Sequence, residues 1–180
     1  PDALPDGGHA ELVYDFRDGG EANGWLHALF RFEDRRSGHE AESSFGGHIF
    51  NTLLTYKNEP QSYSGKPPGL STRLFLKLGF EGRQSFCVLI YPTSNPWLTT
   101  STTSLELFGA AGQLIATSHL AIPGSGSVLV RPSAHFEAED LVAATERGYI
   151  LIRDLTCRLF GYHGVEGAEG QFSLDHMFGF

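Results

Sequence analysis

Three short apolar runs, at 104–108, 113–122 and 127–131, are separated only by Gly109-Ala110-Ala111-Gly112 and Pro123-Gly124-Ser125-Gly126. A helix needs roughly ten or more uninterrupted residues to present an apolar stripe, whereas a strand needs about five. Glycine and proline at this spacing therefore demand extended segments joined by tight turns. Turns that short make consecutive strands antiparallel neighbours, so the stretch reads as a three-stranded meander. The same punctuation runs through the whole chain. Its 22 glycines and 9 prolines in 180 residues are more breakers than a helical bundle tolerates.

Other segments repeat the pattern. Thr72, Leu74, Leu76 and Leu78 alternate with Arg73, Phe75 and Lys77, the signature of a strand buried on one face. Residues 85–91 are continuously apolar and read as a central strand. Residues 25–33 alternate loosely and predict a strand, and the polar 34–44 predicts a loop or hairpin end. Residues 45–56 are apolar on both faces, as expected of a strand covered on both sides. Long loops are expected at 57–69, which ends in Pro67-Pro68-Gly69, and at 92–103, which holds Trp97.

A short helix is predicted over 137–147. Glu137, Glu139 and Asp140 occupy its first turn, Arg147 its last, and Gly148 follows. The next strand is expected from 149 to Phe160 or beyond, with the consecutive charges Arg153-Asp154 marking a bulge or an exit from the core. Residues 161–170 carry four glycines and read as a loop. In the closing segment Phe172, Leu174, His176, Phe178 and Phe180 share one face. Nine to eleven strands with one short helix imply an all-β, antiparallel two-sheet β-sandwich, immunoglobulin-like or jelly-roll. The expected organisation is a single domain over 1–180, with 1–24 as a lead-in.

The net charge is −8, divided as −6 over 1–44, +3 over 45–132 and −5 over 133–180. A chain this acidic lacks the basic footprint that phosphates require, so no nucleic-acid partner is expected. No stretch approaches the ~20 apolar residues of a membrane span. The acidic residues 1–8 contain no apolar h-region, so no signal peptide is read there. Cys87 and Cys157 both lie in apolar runs and are expected as buried free thiols. Phosphate-binding loops, a Gly-x-Ser-x-Gly elbow, a His-x-His pair and a His-Glu-x-x-His helix are all missing from the sequence.

Three constellations are left that could carry chemistry. Histidines where strands meet loops come first: His48, His163 and His176 are the candidate ligands for a divalent metal, the one cofactor considered. The same residues suit general-base catalysis, with His48 or His176 as base and Asp175 or Asp154 as its partner. The second is Arg153, Asp154 and Arg158, charges within an apolar strand that must either pair or face a polar pocket, which Arg73 and Asn51 could also line. The third is a set of aromatic residues near strand ends, among them Trp97 and Tyr162, which bind by stacking or plug the sandwich.

The function expected from these features is a non-enzymatic module that binds a partner protein or small ligand through its end loops. A histidine-dependent jelly-roll or barrel enzyme acting on a small apolar or sugar-like molecule is one alternative. A homo-oligomer subunit joined through the phenylalanine-rich C-terminal strand is another.

Overall fold

In the computed structural model the described residues are 23–50, 71–91, 98–145 and 147–177. Their order is β1 (Asn23–Glu33), β2 (Glu40–Phe50), β3 (Thr72–Lys77), β4 (Gln84–Tyr91), β5 (Thr103–Phe108), β6 (Leu114–Leu120), β7 (Gly126–Val130), a 3₁₀ turn at Pro132–Ala134, α1 (Ala138–Ala144), β8 (Tyr149–Asp154), β9 (Phe160–Glu166) and β10 (Asp175–His176). The protein is mostly β, and every strand pair is antiparallel. One four-stranded sheet has the order β10-β9-β4-β7 and the other β3-β8-β5-β6, while β1 and β2 form a separate hairpin.

The sandwich core follows from alternation. Leu74 and Leu76, Leu105 and Leu107, and Ile150 and Ile152 point inward from the second sheet. They meet Cys87, Leu89 and Val130 of the first sheet in one buried cluster. Phe136 and Ala144, from the short helical segment, are part of the same cluster. Both cysteines are free and fully buried, and burial pushes the Cys87 thiol up to about 12. The hairpin lies against the other side of the first sheet, where Phe32 meets Tyr162 with ring centroids 6.4 Å apart.

Several elements differ from their sequence reading. The first two runs of the expected meander do pair, as β5 and β6, but β7 crosses over and pairs with β4 instead. β5 already has β8 on its free edge. The segment after β6 bridges Pro123 to Thr100 and turns at Ser125, whose φ is +60°, into the facing sheet. β2 begins at Glu40, because the polar stretch forms a compact turn in which Asp34 accepts from Gly38 and Arg36. The helix spans only Ala138–Ala144 and leaves Arg147 outside it.

The long strand expected from 149 is two strands in opposite sheets, β8 and β9, broken at Asp154. The expected loop at 161–170 is largely β9. Its glycines serve close packing rather than looping. A Cβ at Gly161 would sit 2.8 Å from the Met177 sulfur, and one at Gly164 would run into the Ser173 carbonyl and the Phe86 ring. The closing strand is short, Asp175–His176, and Phe178 and Phe180 lie outside the described residues.

Candidate functional site

On β3, β8 and β5 the residues that do not face the core form a regular grid, because register and pleat place cross-strand partners on the same face. One row runs Arg73, Arg153, Ser104 and His119 across the four strands. The next runs Phe75, Leu151, Glu106 and Thr117, and the third holds Lys77, Tyr149 and Phe108. This is the outer face of the second sheet, and Arg73, Phe75, Lys77 and Arg153 are exposed on it.

Arg73 and Arg153 stand directly opposite each other on neighbouring strands. Among the described residues neither forms an ion pair with a carboxylate. Arg73 rests on the Phe75 ring, its guanidinium carbon 5.4 Å from the centroid. Glu106, one row away, accepts from the Ser104 hydroxyl at 3.3 Å. Like charges facing each other across a ladder destabilise it, by roughly 0.2–1 kcal/mol. The pair is therefore a local liability of the sheet, held next to an apolar ridge.

Three rings make up that ridge. Tyr149 and Phe108 are stacked at 5.2 Å with an 11° interplanar angle, and Phe75 tilts against Tyr149 at 5.9 Å. Adjacent strands lie about 4.8 Å apart. Two rings stacked across that spacing stand on edge, like books on a shelf, and turn their edges outward. Phe75 is 42% exposed, the largest aromatic exposure on this face.

The structure thus joins Arg73 and Arg153 on this face, and places Asp154 and Arg158 apart from them. Asp154 follows Arg153 but is buried, pointing to the inner side. Its Oδ1 accepts from the Thr156 and Cys157 amides and the Thr156 hydroxyl, at 2.7, 2.8 and 2.8 Å. Its Oδ2 accepts from the Thr102 amide and the Thr103 hydroxyl, at 2.9 and 3.1 Å. No arginine takes part, so the expected ion pair with Arg153 or Arg158 is replaced by a cage of amides and hydroxyls. Arg158 instead lies over the Phe160 ring, at 5.8 Å.

Asp175, His176, His163 and Tyr162 do come together on β9 and β10. Register pairs Asp175 with His163 and His176 with Tyr162, which puts the two histidines on opposite faces of the sheet. His176 meets the Tyr162 ring edge-on at 5.9 Å. Burial depresses its pKa first and nearby His163 adds to this, against the opposing pull of Asp175. Burial likewise raises the Tyr162 phenol. Among the described residues no group of three or more His, Cys, Asp or Glu side chains could hold a metal ion. His48 lies in β2 opposite Trp25, its side chain outside the described ones, and Asn51 and Trp97 lie outside the described residues altogether.

No family model, curated protein or solved structure matches this chain. Its own geometry is therefore the whole basis for a functional reading.

Sequence reasoning missed Phe75, Tyr149, Phe108 and His119 as members of the face. Alternation showed which residues of β3 and β5 point outward, but not which strand lies next to which. A concavity of about 480 Å³ opens where the loop after β3 meets the helical segment, lined by Leu78, Arg83, Ser85, Pro132, Leu141 and Val142. It went unread for the same reason.

Proposed function

We propose that this protein is a binding module, and that it takes an anionic partner on the outer face of its β3-β8-β5-β6 sheet. One observation carries the reading: Arg73 and Arg153 face each other across a strand pair, exposed, and among the described residues no carboxylate pairs with either. An arrangement that weakens the ladder is best accounted for by a ligand that completes it. The face is also small in cost to leave open, since long arginine stems cover part of the apolar ridge. End loops remain the other place for a ligand. In the described part of one sandwich end, however, the strongest hydrogen-bonding group, Asp154, is fully occupied by its own chain.

The test is a titration of the protein against fluorescent poly-L-glutamate, heparin and oligo-dT at about 100 mM salt, where charges on the far surface are screened. At least one polyanion should bind, and Arg153→Glu should weaken it roughly tenfold or more, equivalent to about 1.4 kcal/mol. Arg36→Glu, an exposed charge in the turn between β1 and β2, should change the affinity far less. A panel in which no polyanion distinguishes Arg153→Glu from Arg36→Glu would overturn the reading.

A further inference from the structure

We infer that the partner on this face is an acidic protein segment that carries apolar side chains among its carboxylates. The inference rests on the binding-module reading above and narrows its ligand by the orientation of the rings. Sugars and nucleobases are held on sheets by stacking on an open aromatic face. Tyr149 and Phe108 use facing sides on each other at 5.2 Å, and Phe75 has Arg73 over its ring. What they offer outward is a ribbed edge, into which aliphatic or aromatic side chains pack but on which a flat ring has no platform. Interfaces between proteins favour this mixture of aromatic residues and arginine.

Charge selects among proteins. The exposed row of Arg73 and Arg153 calls for carboxylates, and the chain's own charge of −8 confines that attraction to this face, because the acidic remainder of the surface repels such a partner. A two-fold dimer through this face would set the arginines of one copy against those of the other or lay them on its rings, and in neither case supplies them with a carboxylate. Arg153 and Tyr149 lie four residues apart on β8. At about 3.3 Å per residue the far rings, Tyr149 and Phe108, are therefore some 13 Å from the basic row, with Phe75 between them. An extended segment running along the strands would fit with acids about four residues from its apolar anchors.

The experiment compares four probes on the intact chain. They are a twelve-residue peptide with paired Glu residues four positions from Phe and Leu, poly-L-glutamate of equal charge, heparin and oligo-dT. The peptide should bind roughly tenfold more tightly than poly-L-glutamate. Arg153→Glu should weaken both, and Phe75→Thr should weaken the peptide alone, because only the peptide reaches the ridge. Circular dichroism and melting of each variant establish that the fold persists. Heparin or oligo-dT binding more tightly than the peptide, in an Arg153-dependent way, would overturn this inference while leaving the binding reading standing. Equal affinity for peptide and poly-L-glutamate would do the same. Dimerisation abolished by Arg153→Glu would assign the face to a second copy and overturn it too. If no probe responds to Arg153→Glu, the binding reading itself fails.

Discussion

Asp154 shows how one buried carboxylate can organise a turn. It closes β8 and receives donors from two stretches of chain, the residues just after it and Thr102 and Thr103 at the start of β5. Thr72 supports the same crossover, donating to the Cys157 carbonyl and accepting from the Leu159 amide, each at 2.7 Å. Removing the carboxylate leaves three backbone amides without their acceptor, that of Cys157 fully buried. Asp154→Ala should therefore destabilise the fold by about 3–5 kcal/mol in a urea melt, the range for breaking a buried charged hub. Asp154→Asn keeps one acceptor oxygen and should cost clearly less; equal losses would show that size rather than hydrogen bonding matters there. Arg153, one residue earlier, should behave oppositely. Arg153→Glu sets opposite charges across the ladder from Arg73 and should raise stability by about 0.2–1 kcal/mol, even as it removes anion binding. The sequence made the conflict at Arg153-Asp154 visible, because charges do not belong inside an apolar strand. It hid the solution, because part of the cage around Asp154 comes from Thr102 and Thr103, some fifty residues away, and alternation treats threonines as ordinary strand residues.

At the level of elements, strands were easier to find than their sheets. Alternation over β3 and continuous apolarity over β4 gave their existence and burial almost residue for residue. It could not show that β7 leaves β6 for β4, since a turn of the same length serves a hairpin and a crossing between sheets. Nor could it tell looping glycines from packing ones in β9. That distinction predicts a specific fault: Gly161→Ala should push a methyl against Met177 and Leu89 and destabilise by about 1–3 kcal/mol. A substitution at Gly167, where the added atom would meet only the flexible Gln171 side chain, should be milder. The short β9-β10 pairing also carries a pH response. The folded-state pKa of His176 is depressed, so the unfolded chain binds its proton more readily. The stability it contributes is complete above about 6.5, the ordinary histidine value, and is lost as pH falls through the folded-state value. Thermal melts at pH 7.5 and pH 5 should differ in wild type, and His176→Gln should narrow that difference. An unchanged difference would place the response on another group, His135 first, whose pKa burial also depresses.

For the whole molecule the decisive quantity is the contrast between a net charge of −8 and one exposed face on which Arg73, Arg153 and Lys77 outnumber the carboxylate of Glu106. An acidic segment approaching this protein is repelled at long range and attracted only near Arg73 and Arg153. Salt acts on the two effects differently. The screening length falls from about 30 Å at 10 mM to about 10 Å at 100 mM, enough to mute charges spread over the far surface. Contact between an arginine and a carboxylate survives that change and weakens only at higher ionic strength. Association with the acidic, apolar-anchored peptide should therefore strengthen between about 10 and 100 mM salt, pass through a maximum, and decline beyond it. A basic protein binding the same peptide would show a decline throughout. Stopped-flow rates across that range decide the matter, because the long-range part acts on the association rate. A steady fall from the lowest salt would mean that the attraction extends well beyond the arginine pair, and that the acidic remainder of the surface lies too far from the approach path to be felt.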